Sequence, residues 1–131
     1  MRSMALKHQL PEPDDAAKVK IRTLLTAGVI LPVMNNTKWA ELIEAMLGSP
    51  QKKPEFRLHN TLSPSGYCTD WDGDWHYHIH PVAEIEWIEL RAVSLDWLLS
   101  TLRKHNLPFS MEGETPRVWG YTRHGMQPIW C

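Results

Sequence analysis

Thr69-Asp70-Trp71-Asp72-Gly73-Asp74-Trp75-His76-Tyr77-His78-Ile79-His80-Pro81 is the stretch on which the reading of this chain turns. Asp72-Gly73 is a strong short hairpin signal, because aspartate and glycine tolerate the positive φ angles of tight turns. It predicts two strands, over residues 67–71 and 75–80, with Pro81 ending the second. Strand alternation then sends Trp75, Tyr77 and Ile79 to the core and His76, His78 and His80 to the opposite face. Neighbouring histidines would stand about 6.6 Å apart along the strand.

Working outward, residues 84–92 form the best third strand. Ser94 caps a helix, with Asp96 near the positive end of its dipole and Leu95, Leu98, Leu99 and Leu102 as its inner stripe. Asn106 and Pro108 stop it. Residues 117–122 predict a fourth strand and 127–130 a short fifth. On the other side, Ser63-Pro64-Ser65-Gly66 is a turn, residues 56–62 are extended, and 49–55 are a polar loop. Before that loop, Trp39, Leu42, Ile43, Met46 and Leu47 give a helix opening at Asn36 or Thr37 and closing at Gly48 and Pro50. An earlier helix starts at Asp14 or Asp15, carries Ala17, Ile21, Leu24 and Leu25 on one face, and stops at Gly28. Residues 29–33 form a connector broken by Pro32, and residues 1–13 a polar, proline-bearing tail. The fold class expected is α+β: an antiparallel meander of three to five strands, helices packed on one face, preceded by two N-terminal helices.

A chain of 131 residues is long enough to bury a real core as one domain. Its 43% hydrophobic and 22% charged content fits a folded protein. Cys68 and Cys131 make no disulfide framework and read as reduced thiols of a cytoplasmic protein. The apolar run 24–34 follows Lys18, Lys20 and Arg22, but Pro32 interrupts it and it is too short to span a bilayer. It reads as a helix end and loop, and no membrane partner is expected. Lys52-Lys53 is too short for a nucleic-acid patch, so no nucleic-acid partner is expected either.

Charge is unevenly spread. Between Cys68 and Leu90 lie Asp70, Asp72, Asp74, Glu84, Glu86 and Glu89 with no Lys or Arg, and against a formal net charge of -1 the remainder carries +5. Four kinds of chemistry compete for this segment. A zinc site on His76, His78 and His80 could draw a further ligand from Cys68 or Asp70, yet no Cys-x-x-Cys or His-Glu-x-x-His supplies one. A calcium loop opening at Asp70 would need glycine at Trp75 and glutamate at Pro81, so the match fails where geometry is strictest. Acid–base catalysis lacks a recognisable nucleophile elbow or phosphate loop, leaving no reaction class to name. A recognition surface for a cationic partner remains, since complementary charge gives fast and specific association. Trp97, off the leucine stripe, joins it as an exposed aromatic. Arg117, Arg123 and His124 read as solvated.

Four words of the sequence carry a resemblance: Met34-Asn35-Asn36-Thr37-Lys38-Trp39-x-Glu41-Leu42; Gly66-Tyr67; Asp70-Trp71-Asp72-Gly73-Asp74-Trp75-x-Tyr77-His78; and Ile85-Glu86-Trp87-Ile88-Glu89. Together they resemble a family of small uncharacterised bacterial proteins, some of whose members are similar to immunity proteins of polymorphic or contact-dependent toxin systems. The resemblance implies a cytoplasmic, non-enzymatic domain over residues 34–131, with 1–33 as tail and helical extension. It also implies a cognate toxin domain as partner and no cofactor. The expected contact residues are Asp70, Trp71, Asp72, Asp74, His76, His78, Glu84, Glu86 and Trp97. A small metal-binding protein or metal-dependent enzyme using His76, His78 and His80 is the alternative, and a homodimer through an exposed sheet edge is a third reading.

Overall fold

The computed structural model describes residues 10–131, so residues 1–9 of the expected tail lie outside the described residues. Helix α1 (Asp15–Thr26) is capped by Asp14, whose Oδ1 accepts the Ala17 N–H at 2.8 Å. Strand β1 (Ile30–Pro32) follows, then helix α2 (Asn36–Leu47), capped by Asn35 accepting from Lys38 N. Strands β2 (Glu55–Asn60) and β3 (Ile85–Arg91), helix α3 (Leu95–Lys104) and strands β4 (Phe109–Glu112), β5 (Thr115–Trp119) and β6 (Tyr121–Arg123) complete the order. The Ser94 cap of α3 forms as expected, its Oγ accepting from Trp97 N. Among the described residues no helix is long and apolar enough to cross a membrane.

The fold is α+β with two antiparallel sheets, and the strand order corrects the meander. In the four-stranded sheet β2-β3-β5-β4, β5 sits between β3 and β4, so the chain passes through α3 to an outer edge before returning inward. The second sheet pairs β1 with β6, joining the chain before Met34 to the chain after it. Pro32 ends a strand there instead of breaking a loop, which its missing N–H permits at a sheet margin. The single strand expected over 117–122 divides at Gly120. A Cβ there would drive into the Ile85 carbonyl oxygen and come within 3.0 Å of Trp39 Cζ2, so only glycine lets the backbone pass. The fifth strand shrinks to one bridge, between Trp130 and Ser110.

Register explains why the sheet has two unlike faces. Leu58, Ile88, Val118 and Phe109 stand opposite one another across all four strands, forming one apolar row. They join Trp39, Leu42, Ile43 and Met46 of α2 and Leu98 and Leu102 of α3 in one buried cluster. One residue along, the register aligns Arg57, Glu89, Arg117 and Ser110, and that polar row belongs to the other face.

The predicted hairpin does not form. Residues 69–72 run beside the outer edge of β2 instead: Thr69 N donates to Leu58 O at 2.9 Å, and Phe56 and Asp72 exchange backbone bonds of 2.9 and 2.8 Å. This covers an edge that would otherwise expose a row of unpaired amides. Residues 74–78 make a single helical turn, with His78 N donating to Asp74 O at 3.3 Å. The side-chain period is therefore four, not two. Trp75 and Ile79 are buried at 4% and 6% exposure, while Tyr77, assigned to the core by alternation, is 86% exposed.

Candidate functional site

The polar face of the four-stranded sheet carries an ion network built on β3. Glu89, only 3% exposed, accepts from Arg57 Nε at 2.7 Å and from Arg117 Nε and Nη2 at 3.0 and 2.8 Å. Glu86, 5% exposed, accepts from Arg123 Nε at 2.9 Å and from the Thr61 hydroxyl at 3.2 Å, with His59 Nε2 at 4.0 Å. Arg117 Cζ lies over Trp87, 3.9 Å from the ring centre, and His59 stacks on the same indole. Carboxylates this buried are tolerable only when paired with such cations and donors. The network floors a cavity of about 700 Å³, walled by Ser63, Ser65, Gly66, Tyr67 and Cys68 of the β2–β3 connection.

That connection runs from Thr61 to Glu84, longer than the roughly 12–15 residues beyond which an irregular loop is usually functional or disordered. It is well fixed. Asp72 Oδ1 accepts from Asp74 N at 2.8 Å, and Asp74 Oδ1 accepts from His76 N at 3.0 Å and Tyr77 N at 2.9 Å. The Tyr77 N–H bond is the main reason the Asp74 carboxyl is held below its ordinary value of 3.8. Trp75 anchors the turn from below, its indole N–H donating to Pro54 O at 3.0 Å.

The expected contact residues separate into three groups. Asp70, His76 and His78 are exposed, and Asp72 and Asp74 flank His78, whose Nδ1 lies 2.8 Å from Asp72 Oδ2 and whose Nε2 lies 3.7 Å from Asp74 Oδ2. Trp71 is half-buried between two guanidinium groups, Arg57 at 4.7 Å and Arg91 at 4.4 Å. Trp97 is half-buried with Lys52 6.0 Å from its ring, so neither is the open aromatic expected. Glu84 accepts from Asn60 Nδ2 at 2.9 Å. Glu86 is a correction: it is buried on the sheet and neutralised by Arg123, leaving the outer acidic surface without it.

The histidine row is also corrected. Without a strand, His76, His78 and His80 do not line up; His80 Nδ1 instead meets Asn60 Nδ2 at 3.2 Å. Among the described residues, no three His, Cys, Asp or Glu side chains gather in an arrangement that could hold a metal ion.

The sequence reading missed the Arg57–Glu89–Arg117 row. Its signal was there: on β2, β3 and β5 a charged residue sits between two that belong to the core side, as in Phe56-Arg57-Leu58 and Ile88-Glu89-Leu90. What was missing was the register that brings the three charges together. A family profile matches residues 21–125 of the chain. The protein belongs to DUF6678, a family of unknown function. The DUF6678 match takes in part of α1 and all six strands, so the two-stranded sheet, the polar cavity and the Asp70–His80 segment all fall within it. Comparison with the curated proteins and with the solved structures returns no match.

Proposed function

We propose that this protein is a non-enzymatic immunity protein, which in the cytoplasm binds a cognate bacterial toxin domain and blocks its basic active cleft. The blocking surface is the segment 70–80 with its neighbour Glu84. The observation that carries this reading is Tyr77, fully outside the core on a turn that Asp72 and Asp74 hold and that Trp75 and Ile79 pin from beneath. A tyrosine offers a large rigid contact surface, and tyrosine is enriched among the residues that dominate interface energetics. Asp70, Asp72 and Asp74 around it supply charge for a cationic partner and would speed encounter. Because the turn is held before binding, little loop-ordering entropy is lost on association.

Occlusion needs no turnover, only affinity and geometry. The test is co-expression with the toxin domain of the secreted protein encoded beside this chain's own gene. Cells carrying the intact chain should grow, and cells carrying Tyr77→Ala together with Asp70→Lys should not. Both positions are exposed, so the fold should survive the substitutions. Failure of the intact chain to protect, or equal protection by the double variant, would overturn the proposal.

A further inference from the structure

We infer that the cavity on the polar face of the sheet is a binding site for a small organic anion, one that brings a phosphate or carboxylate group to Arg57 and Arg123. The volume, about 700 Å³, falls within the roughly 300–1,000 Å³ of small-molecule sites. None of residues 70–80 lines it, so this inference stands apart from the partner-binding reading.

The lining holds three guanidinium groups against two carboxylates, an excess of one positive charge before His59 is counted. Glu89 is buried and accepts on both oxygens from the arginines it holds. Glu86 is buried, and its Oε1 accepts from Arg123 and Thr61. The net positive balance of the lining favours an anion over a cation.

The way the arginines are held matters as much as their number. Glu89 takes Arg57 by Nε alone, and among the described residues both terminal nitrogens of Arg57 are left without a hydrogen bond. Glu86 takes Arg123 by Nε, Thr61 takes its Nη2, and Nη1 is left. The two sites are set by β3 residues three positions apart, on the order of 10 Å of strand. Each guanidinium is thus held at Nε by a buried carboxylate, with both terminal nitrogens of Arg57 and Nη1 of Arg123 left to donate. The Arg57 pair matches two oxygens of a carboxylate or phosphate, and Arg123 Nη1 supplies a further donor. Holding the fork in advance also lessens the side-chain entropy lost on binding.

Calorimetric titration of the full chain with adenosine monophosphate and, separately, with citrate tests the site at about 0.15 M salt. At least one should bind with a dissociation constant below about 1 mM. Binding of the nucleotide assigns the site to phosphates, and binding of citrate assigns it to carboxylates. Arg57→Gln and Arg123→Gln should each weaken binding at least about tenfold, with melting temperatures recorded to show that the variants are folded. In a Cys131→Ser background, saturating ligand should slow alkylation of Cys68, whose residue lines the cavity. No binding of either compound up to about 10 mM, a constant unchanged in both arginine variants, or unaltered Cys68 alkylation at saturation would each overturn the site.

Discussion

Replacing Glu89 by glutamine tests whether the polar face is a clamp or a set of surface charges. The substitution keeps shape and removes charge: of the two oxygens that accept the three bonds of 2.7, 2.8 and 3.0 Å, one remains an acceptor and the other becomes an NH2 group facing a guanidinium. Removing one partner of a fully buried ion pair costs about 3–5 kcal/mol. Here the Arg57 and Arg117 side chains remain 36% and 21% exposed, so water takes up part of the loss and the lower end, about 3 kcal/mol, is the expected cost. For a domain of this size each kcal/mol moves the melting temperature by about 4 °C, giving a drop on the order of 10 °C. Urea denaturation followed by tryptophan fluorescence, with calorimetric melting beside it, measures both. A companion triple variant, Arg57→Met, Glu89→Leu and Arg117→Met, removes all three charges and leaves no buried one unpaired; the exposed Glu112 alone loses its Arg117 partner at 3.9 Å. It should recover most of the stability. A Glu89→Gln cost under about 1 kcal/mol would refute the clamp, since that is the value of an exposed pair.

Gly120→Ala should destabilise by about 3 kcal/mol or more, read by the same denaturation, because the new methyl group meets the Ile85 backbone and the Trp39 ring. Tyr121 donates to Ala83 O at 2.7 Å, and burial pushes its hydroxyl above the ordinary 10.0. A raised folded-state value means the contribution is full below about pH 10 and is lost as pH rises further. Tyr121→Phe should cost about 1 kcal/mol at neutral pH and remove that alkaline loss. Asp74 is lowered, so its contribution is present above 3.8 and disappears as pH falls below that value. Protection of the His76 and Tyr77 amides, taken relative to the intrinsic exchange rate at each pH, should fall on acidification, and in Asp74→Ala it should already be lost at neutral pH.

The helices and the apolar side of the sheet were legible because their signals are local. The α2 stripe of Trp39, Leu42, Ile43 and Met46 repeats at helical spacing, and Asp14 and Ser94 cap where capping residues are expected. The third strand was nearly right, since residues 84–92 contain the observed Ile85–Arg91. The central segment was misread because two local rules compete there. Asp72-Gly73 between aromatic residues satisfies the hairpin rule, yet the Asp72 and Asp74 side chains bond their own downstream amides and close turns of their own. Trp75 and Ile79 are four apart, which suits one helical turn as well as alternate strand positions. The polar cavity was illegible for a different reason. Arg57, Glu89 and Arg117 are far apart in the chain and meet only through strand order, with β5 entering between β3 and β4. Glu86 therefore counted toward the acidic segment although Arg123, from another strand, neutralises it.

The most direct test of the partner-binding account is the affinity of the purified chain for the proposed partner, a toxin domain encoded beside its gene, measured by calorimetry with and without Tyr77→Ala. A central aromatic anchor typically contributes at least about 2 kcal/mol, so the variant should bind about thirtyfold more weakly or worse while melting at the same temperature as the intact chain. An unchanged dissociation constant for Tyr77→Ala, or no binding by the intact chain, would contradict the account.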